Sequence, residues 1–121
     1  MTFQSFEDLE VWKRACKLAV YTYESLKTSR DFSLRDQMQR AAVSIASNIA
    51  EGSERAEKDF LRFLSIARGS SSELRTQAYI SFKIKLIDQQ QMNLIVDETK
   101  QINRMLTGLA QSIQKKLNTE H

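Results

Sequence analysis

Few residues in this chain have the chemistry of a reaction centre, and their spacing brings none of them together. The single histidine, His121, is the last residue, and the single cysteine, Cys16, falls within a run that reads as helix. A nucleophilic site needs a base beside its nucleophile, so the many serines have no histidine to activate them. Metal-binding patterns such as paired cysteines or Glu-x-x-His are absent from the sequence. Gly52, Gly69 and Gly108 are scattered and build no phosphate-cradling loop. The expectation is a protein with no catalytic residues, no metal and no cofactor.

Two other constellations stand out. Arg40, Ser44, Asn48 and Glu51 recur at helical spacing and line up as a narrow polar stripe. Together with Arg68 and Glu73 they read as a structural polar network, an Arg–Glu pair with Ser and Asn satisfying one another between helices. The competing reading is a ligand or subunit contact. The second constellation is basic. Arg55, Lys58 and Arg62 cluster around the turn into the third helix, and Lys100, Arg104 and Lys115, with Gln111, line one outward face of the fourth. Such cations contact nucleic-acid phosphates, each neutralised phosphate adding salt-dependent affinity, unless they form only a solvated helix face. Aromatic residues are not interleaved with these charges, which speaks against base stacking on single strands.

Four amphipathic helices must carry these residues, over about 6–28, 34–51, 57–86 and 89–116. In the first, Leu9, Trp12, Ala15, Cys16, Ala19, Val20, Tyr23 and Leu26 form the expected core stripe behind an N-cap at Ser5, leaving Val11 and Leu18 as surplus. The second starts behind Ser33, buries Leu34, Met38, Ala41, Ala42, Ile45 and Ile49, and stops at Gly52. The third keeps Phe60, Phe63, Leu64, Ala67, Ser71, Leu74, Ala78 and Phe82 on one face. Gly69 interrupts it, and a closely packed neighbour is the expected reason. The fourth, behind Asp88, has the cleanest seam, with Met92, Ile95, Thr99, Ile102, Leu106, Leu109 and Ile113 stepping by three and four. Short connections predict an all-α, antiparallel up-down-up-down four-helix bundle in one domain, 1–121.

Composition agrees. With 121 residues, no proline and three glycines, the chain suits long helices and not a turn-rich sheet. The net charge is +3. Residues 1–51 hold equal numbers of basic and acidic side chains, so the excess lies in 52–121, and no acidic residue falls between Lys100 and Thr119. One cysteine permits no intrachain disulfide, and neither a signal peptide nor a membrane span is readable, so the expectation is a cytoplasmic protein with no membrane partner. Apolar surplus on the first two helices, with Ile66, Ile80 and Ile84 off the core stripe, predicts self-association.

Three segments carry a family resemblance. They are Phe6-Glu7-Asp8-Leu9-Glu10-Val11-Trp12, the run Arg40-Ala41-Ala42-Val43-Ser44-Ile45-Ala46-Ser47-Asn48-Ile49-Ala50-Glu51-Gly52, and Phe63-Leu64-Ser65-Ile66-Ala67-Arg68-Gly69-Ser70 with Glu73-Leu74. In order and spacing the chain resembles the bacterial four-helix bundle family encoded in intervening sequences of 23S ribosomal RNA genes. That family is related to the accessory variability determinant of diversity-generating retroelements. The resemblance implies a ring-like homopentamer with a basic surface that binds RNA or DNA. It further implies, for the retroelement relatives, a reverse transcriptase as protein partner, and it implies no catalysis. Many relatives have proline where Ala46 stands, so the second helix should be straighter here.

Overall fold

The computed structural model describes residues 5–120; His121 lies outside them. A single 3₁₀ turn, Phe6–Asp8, precedes helices α1 (Glu10–Ser25), α2 (Phe32–Ser53), α3 (Glu57–Lys83) and α4 (Gln89–Glu120). The fold is all-α, with four helices and no strand among the described residues. Packing joins α1 to α2, α2 to α3, α3 to α4 and α4 to α1, with no diagonal contact among the described residues, so the helices stand at the corners of a square.

Local chemistry sets each boundary. Ser5 does cap, accepting from the Glu7 amide at 3.1 Å, but it caps the 3₁₀ turn. Extended backbone at Leu9 then delays α1 to Glu10. For α2 the cap is Asp31, whose Oδ1 accepts from the Leu34 amide at 3.0 Å, so the helix begins before the expected Ser33. It also runs through Gly52, the expected stop, to Ser53. α3 ends at Lys83, short of the expected residue 86. Its end is a Schellman turn in which the Leu86 amide donates to Ser81 O (2.8 Å) and the Lys85 amide to Phe82 O (3.1 Å). Lys85 takes the left-handed conformation this turn requires, at φ 65°. Asp88 and Gln91 then cap α4 reciprocally, each side chain accepting from the other's backbone amide at 2.8–2.9 Å.

The core follows the expected faces of α2, α3 and α4, with Met38, Ile45, Ile49, Leu64, Leu74, Ile95, Ile102, Leu106 and Ile113 fully buried. Each such side chain contributes about 1.5–3 kcal/mol by leaving water. α1 is rotated relative to expectation. Val11, Ala15, Leu18, Thr22 and Leu26 are buried, while Val20 (63% exposed) and Tyr23 (46%) face outward. The polar Thr22 hid this face; its hydroxyl is satisfied by Leu18 O at 2.8 Å and so buries without loss.

Glycine use is likewise exchanged. A Cβ on Gly69 would meet nothing within 4 Å, whereas one on Gly52 would lie 2.5 Å from Phe63 Cβ. The close helix crossing is therefore at Gly52, and α3 passes Gly69 unbroken.

Candidate nucleic-acid interface

The contacts between helices fix which side of each helix the candidate residues occupy. On α3, Ser70 meets Ser44 of α2 (2.9 Å), while Ser71 donates to Thr99 O of α4 (3.1 Å) and Ser72 accepts from Asn103 (3.3 Å). Residues spaced by three, four or seven share a helix side. Arg68 and Arg75 therefore flank Ser72 on the α4 side, and Glu73 follows Ser70 toward α2.

The expected polar network is thus smaller than its six members. Ser44 and Ser70 bond across α2 and α3, and Asn48 donates to Ser44 O (2.8 Å) and Oγ (2.9 Å). Glu51 pairs with Arg55 at 3.1 Å. Arg40 and Glu73 line one shallow depression of about 230 Å³ with Ser44 and Ser70, yet they form no ion pair. Arg68 stands on the other side of α3, exposed, and no hydrogen bond or ion pair among the described residues holds it.

The basic residues divide in two. Arg55 and Arg62 both stack on Phe63, with guanidinium carbons 5.0 and 4.6 Å from the ring centroid. An aromatic ring is therefore set among these charges after all. It is 7% exposed, so it supports the two guanidiniums and offers no platform for a base. Lys58 turns the other way. With Leu61 it joins Gln114, Leu117 and Asn118 in a groove of about 570 Å³ between the start of α3 and the end of α4. Beside this groove, Lys100, Arg104 and Lys115 are exposed along α4. Of the three, only Arg104 has a side-chain bond among the described residues, to Gln101 at 2.8 Å.

Two carboxylates of α3 and α4 are held in ion pairs. Glu57 is held by Lys116 (2.8 Å) and Glu98 by a two-pronged Arg14 (2.7 and 2.9 Å). These bonds raise the pKa of both cations, the hydrogen bond being the leading cause in each. Burial pushes the Cys16 thiol up, which keeps it in the unreactive neutral form. Among the described residues no three His, Cys, Asp or Glu side chains converge to hold a metal, and no helix is long and apolar enough to cross a membrane.

Arg75 escaped the sequence reading. Its signal in the sequence is the seven-residue step from Arg68, which sets the two arginines on one side of α3.

A chain with this fold is known. The protein of unknown function from the S23 ribosomal protein family of Bacteroides thetaiotaomicron superposes with a TM-score of 0.77 at 24% identity, covering 83% of this chain and 97% of the other. That likeness is one of fold. No curated protein is detectably similar in sequence. The model of the 23S rRNA-intervening sequence protein family matches residues 7–108, and this chain belongs to that family.

Proposed function

We propose that this protein is a non-catalytic, homo-oligomeric nucleic-acid-binding protein of the bacterial cytoplasm, linked to ribosomal RNA intervening sequences or to a retroelement. Its up-down-up-down bundle presents basic residues of α3 and α4 to the phosphate backbone of RNA or DNA. The observation that carries this reading is the exposed α4 stripe of Lys100, Arg104 and Lys115, which no carboxylate among the described residues neutralises. Phosphate contacts position a ligand without reading its sequence, so the preference among sequences should be weak. A ring-like homopentamer is the assembly that the family resemblance implies, and the exposed Val20, Tyr23 and Val43 support self-association.

Binding to a structured RNA and a duplex DNA across a salt series tests the reading. The wild type should bind with affinity falling steeply as salt rises. K100A/R104A/K115A should weaken it and flatten the slope by about 3 in log–log terms, near one per lost contact. Unchanged affinity in that variant overturns the site. The same apolar residues also favour a second reading, an accessory subunit for a protein such as a reverse transcriptase. Recovery of a stoichiometric protein partner, with no nucleic acid bound, would select it.

A further inference from the structure

The cations of α3 and α4 face one another in register. The pairing of the two helices is fixed by Glu57 with Lys116, Ser72 with Asn103 and Ser71 with Thr99. Each step up α3 is a step down α4. That register sets Lys58 opposite Lys115, Arg68 opposite Arg104 and Arg75 opposite Lys100. Three like-charged pairs thus cross one groove, floored by Ser72 and Asn103. None of the six cations is in an ion pair among the described residues. Asp97, a turn beyond Lys100, marks the upper limit of the acid-free face.

Facing like charges raise the energy of the free protein, and a polyanion touching both rows relieves it. From Lys58 to Arg75 the row is about 26 Å long, and from Lys100 to Lys115 about 22 Å, at ~1.5 Å per residue. Packed helix axes lie ~8–10 Å apart, which falls between the ~6 Å and ~12 Å widths of the two grooves of B-form DNA. A single flexible strand has no fixed second row of phosphates to offer. Nor does this face carry the aromatic platform that single-strand binding uses, Tyr79 at its end being the one exposed aromatic side chain there among the described residues.

We infer that the α3–α4 groove is a clamp for double-stranded nucleic acid, with one helix on each of the two backbones that flank a groove. Arg68 and Arg75 are binding residues of this clamp. The inference rests on the nucleic-acid reading above, and its test separates the two. The full chain is titrated with an RNA duplex, a DNA duplex and each separated strand, over a salt series. A duplex should bind at least tenfold tighter than its own strands. R68A/R75A should lower the log–log salt slope for the duplex by about 2 and bring its affinity down to that of the strands. R68E should abolish duplex binding while leaving the melting temperature unchanged or higher, because the introduced carboxylate would sit opposite Arg104. Equal affinity for strand and duplex overturns the clamp and leaves the nucleic-acid reading standing. So does an unchanged slope in R68A/R75A combined with loss of binding in K100A/R104A/K115A. Binding of neither form at low salt overturns both.

Discussion

Gly52 is the residue on which the geometry of the α2–α3 contact turns. Its absent Cβ lets the helices approach until Phe63 Cβ and Phe60 Cδ1 would stand 2.5 and 2.9 Å from an added methyl. A ring edge can swing aside, but Phe63 Cβ is tied to the α3 backbone, so relief requires the helices to separate. Gly52→Ala should therefore cost about 1–3 kcal/mol, the range for overpacking a filled site, read as a lower urea midpoint. The matching change at Gly69 has open space around it and should stabilise by up to about 1 kcal/mol through helix propensity. Equal effects at the two sites would contradict this packing. In sequence the two glycines are indistinguishable, because a missing Cβ serves a helix end and a close crossing equally well. Only the neighbour that arrives at that height decides, and Phe63 is eleven residues away along the chain.

At the scale of elements, the α3–α4 connection shows what local sequence does and does not announce. Asp88 with Gln91 is a legible start signal, and the structure uses it. The preceding stop is illegible because the left-handed position of the Schellman turn is filled by Lys85, not glycine. A side chain there costs roughly 1–2 kcal/mol, of which glycine's larger backbone entropy returns part. Lys85→Gly should thus raise stability by about 0.5–1 kcal/mol in chemical denaturation; no gain would mean the turn is held by contacts that override the local preference. The seam of α4 was readable because six of its seven positions are apolar, Thr99 being the exception. α1 was not, since its true face includes Thr22 while the larger Val20 and Tyr23 lie outside it. The same difficulty scattered the candidate site. Lys100, Arg104 and Lys115 lie on one helix and announce themselves. Arg68 and Arg75 acquire their meaning only from the α4 residues brought opposite them.

The whole molecule separates two surfaces. Because α1 touches α2 and α4 but not α3, the outer side of the α1–α2 edge and the α3–α4 groove lie on opposite faces of the square. The first carries Val20, Tyr23 and Val43 in the open, with Tyr23 and Val43 sharing one depression of about 490 Å³ with the polar Asp36, Gln39, Arg40 and Ser44. The second carries the six facing cations. Copies associating through the α1–α2 edge, and not through the exposed Ile66, Ile80 and Ile84 on the α3 side, would leave every cation groove turned outward, so one assembly would present several clamps to the same duplex. Linked sites multiply affinity through effective concentration, on the order of a hundredfold or more, without any new contact. Val43→Asp places a charge in the apolar face at a position 42% exposed, where the fold of the single chain does not depend on it. The variant should fall to the 14.0 kDa mass of one chain by light scattering. It should keep the wild-type affinity for a duplex just long enough for one clamp and lose about a hundredfold on a duplex several times longer. A monomeric variant that still binds the long duplex as tightly as the wild type would show that one groove suffices and that the two faces do not cooperate. A variant that loses the short duplex as well would show that the apolar edge belongs to the binding surface itself.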